Sequence, residues 1–407
     1  MSHRIRKVAV LGAGTMGAAI AAHCANAGLE VDLLDIAAED GDDKNAVVKA
    51  GFDRMKKARP AALMSENVAE RMRIGNFEEH IDRVGGADWI VEAIIEKLEP
   101  KRELMQRVED KAKEGAIIST NTSGIPLHLI AEERSEGFRK RFVGTHFFNP
   151  PRYLKLIEII PTEDTDPEIV EAVRNFGERV LGKGGVIAKD TPNFIGNRLG
   201  SFAGMQSARY AFENGYGIEE IDAITGPLIG HPKTATFRLN DQVGLDIAVG
   251  VAENLYEAVP EDESREELRP PEKLKEMQEK NLLGNKTGAG FYKRDKREGK
   301  TVFDVLDLET FEYRPAENPE VPIGKEAQQQ GDLASRLRFL IEKADEDRHA
   351  RYIRDTLLQY MAYASRRVPE ISDTLEDVDH AMEWGFAHQA GPFRTWDLLG
   401  VRETAGK

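Results

Sequence analysis

Lys7-Val-Ala-Val-Leu-Gly-Ala-Gly-Thr-Met-Gly17 is an apolar run that meets three glycines spaced G-x-G-x-x-G. A continuous apolar run, without polar alternation, suits a strand buried on both faces of a parallel sheet. An alanine-rich stretch follows and ends at Gly28, a residue type that closes helices. Glu30-Val-Asp-Leu-Leu-Asp35 supplies a second strand. In this strand, turn, helix, strand context each glycine has a physical task. Gly12 permits the tight turn, Gly14 lets backbone approach a pyrophosphate, and Gly17 lets helix and strand pack closely. Thr15 and Met16 open the helix, whose N-terminal amides favour negative charge. Asp35 ends the second strand, eighteen residues beyond Gly17, where a carboxylate can accept from adenine-ribose hydroxyls. The same charge repels a 2′-phosphate, so NAD is the expected cofactor.

Working outward, further strands are expected at Trp89–Ile95, Ala116–Thr120, Arg141–His146, Leu156–Ile160 and Gly185–Lys189, with helices between most of them. That alternation predicts an α/β, Rossmann-type doubly wound sheet over residues 1–189. From Thr191 the pattern turns helical: Asn197 to Asn214, Ile218 to Thr225 and Val243 to Val259, giving an all-α domain over 190–293. Residues 294–333 are charged, proline-bearing and weakly periodic, and are expected to be a linker. Helices return from Ala334 to Arg366, within a last segment 334–407. Ile218-Glu-Glu-Ile-Asp222 recurs as Leu375-Glu-Asp-Val-Asp379, and Phe237, Asp241 and Gly244 recur as Phe393, Asp397 and Gly400, each 156 residues on. Ordered agreement of this kind predicts that the helical domain is duplicated, the second copy being degenerate.

Composition narrows the function classes. A length of 407 residues suggests two or three domains. A formal net charge of −15 argues against nucleic acid and anionic membrane as partners, which need a basic footprint. The apolar stretch from Val8 to Gly28 is broken by four glycines, Thr15, His23 and Asn26, so membrane insertion is not expected. The single cysteine, Cys24, cannot close an internal disulfide, and the first residues have no secretion-signal pattern; a cytoplasmic setting is expected. No metal is expected.

Nine histidines are present, and most sit in polar, helical or terminal stretches. His146 differs, because it ends an apolar strand in Val143-Gly-Thr-His-Phe-Phe-Asn-Pro150, and strand C-terminal ends line the ligand crevice of a parallel sheet. Glu158 stands alone in Leu156-Ile-Glu-Ile-Ile160, where an ionised carboxylate is costly unless paired. An imidazole beside it would be held in one tautomer and stabilised when protonated, which suits removal of a hydroxyl proton. The bland alternatives are a satisfied core histidine and a structural ion pair.

The chain resembles the 3-hydroxyacyl-CoA dehydrogenase family through Asn121-Thr-Ser123, His146-Phe-Phe-Asn-Pro150, Glu158, Asp190-Thr-Pro-Asn-Phe-Ile-Gly-Asn-Arg198 and Lys286-Thr-Gly-Ala-Gly-Phe-Tyr292. The resemblance implies NAD-dependent oxidation of (S)-3-hydroxyacyl-CoA to 3-ketoacyl-CoA in fatty-acid β-oxidation. It makes His146 the base, Glu158 its orienting partner, and Ser123 and Asn197 donors to the reacting oxygen. It carries cofactor contacts onto Glu92, Lys97, Asn121, Asn149 and Lys286. By the same resemblance an acyl-CoA is the partner molecule, and the second helical copy makes the chain a monomer with an internal pseudo-dimer or a homodimer. An enoyl-CoA hydratase segment or partner accompanies some relatives. Arg54, Lys56, Lys57 and Arg59 suit CoA phosphates or a solvated helix face equally, and the serine and lysine of the family's short-chain members are not clearly present there. Two alternatives stay open: a CoA-free hydroxy-acid or sugar-acid dehydrogenase, and a non-catalytic NAD-binding protein of the same fold.

Overall fold

In a computed structural model describing residues 4–297 and 299–404, the apolar run is strand β1 (Lys7–Leu11). It is followed along the chain by β2 (Glu30–Asp35), β3 (Met72–Asn76), β4 (Trp89–Glu92), β5 (Ile117–Thr120), β6 (Phe142–Phe147), β7 (Leu156–Pro161) and β8 (Gly184–Ile187). They form one sheet in the order β3-β2-β1-β4-β5-β6-β7-β8. Only the β6–β7 pair is antiparallel. The chain reverses its direction of travel across the sheet between β1 and β4, and this switch point opens a crevice at the strand C-termini. Strands β4, β5 and β6 are buried at every residue, which explains their unbroken apolar character. The helix Thr15–Asn26 covers β1 with Ile20, Ala21 and Cys24, all fully buried.

Strand β3 was not expected. It pairs on one side only, and Met72-Arg-Ile-Gly-Asn76 has too few apolar residues to announce itself. The expected strand Trp89–Ile95 stops at Glu92, because the Ile94 amide donates to the Glu92 carboxylate at 2.7 Å instead of continuing a ladder.

By internal contacts the chain divides into two units, one running to Ile195 and taking in Glu370–Asp373, the other holding Gly196–Pro369 and the rest from Thr374. Four residues of the expected last segment therefore lie with the sheet, where Asp373 pairs with Lys189 at 2.6 Å. The second unit opens with the helix Gly196–Glu213 and is helical except for a three-stranded antiparallel meander, β9 (Tyr292–Arg297), β10 (Lys300–Leu306) and β11 (Tyr313–Pro315). This meander, with the helix Pro322–Gln328, occupies residues 294–333, expected as a linker. Its outward charges hide the pattern, while Val305 and Leu306 are packed into the helical core.

The repeat is visible in hydrogen bonding. Asp222 accepts from the amides of Thr236, Phe237 and Arg238 at the start of the helix Phe237–Val243. Asp379 accepts from the amides of Phe393 and Arg394 at the start of the helix Pro392–Leu399. Both helices end at a glycine of like conformation, Gly244 (φ 101°) and Gly400 (φ 93°). Among the described residues no helix is long and apolar enough to cross a membrane.

Candidate active site

The C-terminal ends of the parallel strands gather the predicted residues of the first unit. The three glycines sort by what a Cβ would meet. At Gly12 (φ 106°) it would lie 2.4 Å from the Ala93 carbonyl oxygen, and at Gly17 it would lie 2.0 Å from that of Gly12. At Gly14 it would meet nothing within 4 Å. Gly12 and Gly17 therefore serve the turn and the packing, while Gly14 leaves open the approach that a pyrophosphate needs. Gly14 caps the helix Thr15–Asn26 with no side chain on the free amides, and Thr15 is exposed beside it with Met16 half-buried. Asp35 steadies the turn by accepting from Ala13 N–H at 2.6 Å, and its other oxygen takes Ile36 N–H at 2.7 Å. It remains partly exposed, with lone pairs available to ribose hydroxyls. These residues fit a dinucleotide.

The antiparallel register of β6 and β7 sets His146 directly opposite Glu158. Directly opposite residues point to the same face of a sheet. The His146 Nδ1 lies 2.6 Å from a Glu158 carboxylate oxygen, with the two side chains 5% and 0% exposed. A carboxylate only accepts, so Nδ1 carries the proton and Nε2 presents its lone pair. The second Glu158 oxygen accepts from Ile195 N–H at 3.1 Å. Ser123 Oγ lies 2.9 Å from Nε2 and donates to it. Phe148 and Phe194 stand edge-on to the imidazole, at 4.8 and 5.6 Å between centroids.

Ser123 is fixed by a residue not anticipated from the sequence. The Glu96 carboxylate accepts from Thr122 Oγ1 (2.5 Å), Ser123 N–H (2.9 Å) and Gly124 N–H (3.0 Å), and lies 3.3 Å from Lys101 Nζ. Burial works against ionisation of Glu96, but Lys101 and these donors outweigh it and hold the carboxyl below its ordinary range. Glu92, expected at the cofactor, is fully buried and already accepts from Ile94 N–H (2.7 Å), Lys101 Nζ (2.7 Å) and Thr120 Oγ1 (2.6 Å). Its carboxylate braces the loops rather than facing solvent. Lys97 is exposed four residues before Lys101, and Asn149 is exposed after β6. Asn121 stitches the β5 loop to β6, its Oδ1 accepting from Phe147 N–H at 2.9 Å. Arg54 reaches the Ala13 carbonyl at 3.3 Å, beside the glycine turn, while Met55 is buried. In the second unit, Asn197 lies in the first turn of the helix Gly196–Glu213, and Lys286 forms an ion pair with Asp246.

A glycine turn at the switch point, and a paired histidine and glutamate on strands β6 and β7, are features of the class of Rossmann-fold NAD-dependent dehydrogenases. Residues 7–191 match the model of the 3-hydroxyacyl-CoA dehydrogenase NAD-binding domain, and residues 194–294 match that of the 3-hydroxyacyl-CoA dehydrogenase C-terminal domain. The chain belongs to the 3-hydroxyacyl-CoA dehydrogenase family, and NAD is its cofactor. It is 42% identical to a probable 3-hydroxyacyl-CoA dehydrogenase of Bacillus subtilis, over 100% of this chain and 52% of that one. It is 48% identical to a probable 3-hydroxyacyl-CoA dehydrogenase of Deinococcus radiodurans, over 72% of this chain and 84% of that one. The chain thus spans about half the length of the Bacillus relative. The crystal structure of 3-hydroxybutyryl-CoA dehydrogenase from Escherichia coli shares the fold, with a TM-score of 0.74 at 23% identity over 98% of this chain and 93% of that one.

Proposed function

We propose that the chain oxidises the 3-hydroxyl of an (S)-3-hydroxyacyl-CoA to the 3-ketoacyl-CoA, within fatty-acid β-oxidation. The observation that carries this reading is the His146–Glu158 pair, which leaves the imidazole Nε2 as the free base. Bound NAD, held by the Gly12–Gly17 turn and Asp35, supplies the hydride acceptor. His146 takes the hydroxyl proton on Nε2, and the Glu158 carboxylate stabilises the imidazolium so formed. Ser123, its loop anchored by Glu96, hydrogen-bonds the reacting oxygen and holds it at the base. Asn197 is assigned a second hydrogen bond to that oxygen, and Asn121, Asn149, Lys97 and Lys286 contacts to the cofactor, all from the family resemblance. Glu92 is assigned the part of holding Lys101 and Thr120 in place, from its three internal partners.

The reaction balances as hydroxyacyl-CoA and NAD⁺ giving ketoacyl-CoA, NADH and a proton. From the family resemblance, the second helical copy is assigned as the partner surface of the first, and an enoyl-CoA hydratase segment or partner is assigned to the chain. The test is a His146→Gln enzyme assayed for NADH formation on 3-hydroxybutyryl-CoA and on free 3-hydroxybutyrate. Turnover should fall at least ~100-fold while NADH binding is nearly unchanged. Unchanged turnover removes histidine as the base, and preference for the free acid removes CoA from the substrate.

A further inference from the structure

Lys183 is a buried ammonium with no carboxylate paired to it among the described residues. It precedes β8 and is 4% exposed. Its Nζ donates to the carbonyls of Pro151 and Leu154, the latter at 2.7 Å, and lies 5.8 Å from the centre of the Phe147 ring. Among the described residues the titratable groups that act on it or feel its charge are Cys24 and His23, both buried on the helix Thr15–Asn26, and neither is a carboxylate. Burial pushes its pKa down to about 8. Desolvating a charge without a counter-ion is unfavourable, and a methionine would fill the same space without that penalty. What the ammonium adds is a grip on two carbonyls.

Those carbonyls belong to the segment 148–155, which joins the strand of His146 to the strand of Glu158. Phe148, at its start, is one of the two rings edge-on to His146, and Asn149 follows. The segment's end is stitched to β8 by Gly184 N–H donating to the Lys155 carbonyl at 2.7 Å. On its other side, Arg152 donates to the carbonyls of Ala61 (2.7 Å) and Leu63 (2.9 Å), and Tyr153 Oη donates to that of Ala61 (3.0 Å). Lys183 thus ties the middle of this segment to the start of β8 through a buried ammonium.

We propose that Lys183 is a positioning residue for the dehydrogenase reaction, fixing segment 148–155 through Pro151 and Leu154 and thereby placing Phe148, Asn149 and the His146 ring. This rests on the function proposed above, so the experiment pairs Lys183→Met and Lys183→Arg with His146→Gln in the full chain. Each variant is measured for thermal midpoint, NADH affinity by fluorescence titration, turnover on 3-hydroxybutyryl-CoA, and amide hydrogen exchange across 148–155. Lys183→Met should bind NADH about 10-fold more weakly, turn over about 10-fold more slowly and exchange faster in that segment, because small displacements at a reacting group are amplified in rate. Lys183→Arg should recover part of each loss. His146→Gln should lose turnover alone. A Lys183→Met enzyme with a lower midpoint but wild-type NADH affinity and exchange would reduce Lys183 to a folding role and overturn the proposal. If Lys183→Met does not fold, Lys183→Gln, which keeps a donor without the charge, is judged by the same readings. Unchanged turnover in His146→Gln would instead sink the functional reading, while the exchange data still report on Lys183.

Discussion

Glu158 fixes which nitrogen of His146 is left as an acceptor. Its carboxylate, fully buried, accepts the Nδ1 proton at 2.6 Å and the Ile195 amide at 3.1 Å, so a second proton can be received only on Nε2. Replacing it with glutamine keeps the volume and an acceptor but removes the charge that stabilises an imidazolium. Glu158→Gln is expected to lower kcat at least ~100-fold with little change in NADH affinity. A fall of only a few-fold would mean that the pair serves packing rather than proton transfer. The two residues were legible in the sequence because each broke a local rule: a histidine closing an apolar strand, and a lone acid inside another. Glu96 broke none. It lies on an irregular loop among other charged residues, and its importance comes from Thr122, Ser123 and Gly124, more than twenty positions away. Glu92 and Lys97 were expected at the cofactor from the family resemblance; the structure ties the Glu92 carboxylate to the buried Lys101 ammonium, while contact with the serine loop belongs to Glu96.

At the scale of elements, what the sequence announces is burial on both faces or a strong helical period. Strands β1, β4, β5 and β6 have the first property and were expected in place; edge strand β3 and the charged meander β9–β11 have neither. The repeat was legible in part because two of its matched aspartates, Asp222 and Asp379, are tied to backbone amides, a role few other residues fill. Asp222 and Asp379 each stop the free amides of a following helix from going unpaired, and Asp222 takes the Tyr292 hydroxyl as well, at 3.0 Å. Asp379→Ala strands two amides and should cost about 1–3 kcal/mol, read as a lower thermal midpoint. If the second copy is structural, kcat stays at the wild-type value in that variant. A loss of kcat without a fall in midpoint would place the second copy in the chemistry instead.

For the molecule as a whole, two opposed groups of residues shifted by burial make stability depend on pH. Burial drives His23 and His231 down to about 4, and holds His388 well below its ordinary value. In the unfolded chain these imidazoles titrate near 6.5. Between pH 6.5 and 4 the unfolded chain binds more protons at them than the folded one, so the stability they confer is complete above 6.5 and is lost as pH falls. Asp222, Asp241 and Asp379 act with the opposite sign. Burial raises each to about 6, so their contribution is complete below about 4 and is lost as pH rises through 6. The two sets are equal in number and opposite in sign, so each offsets part of the other's pH dependence between pH 6.5 and 4.5. One substitution unbalances them. His231 and His388 are stacked, centroids 3.8 Å apart and 11° from parallel, so a proton on either ring meets the other at contact distance. His231→Asn removes one titrating ring and relieves that contact. Relative to wild type, the variant should gain stability steadily as pH falls, by at most about 3 kcal/mol over the window. Thermal midpoints of the two proteins at pH 7, 6 and 5 measure this directly. Parallel curves would show that the stacked rings are hydrated and titrate alike in the folded and unfolded chains.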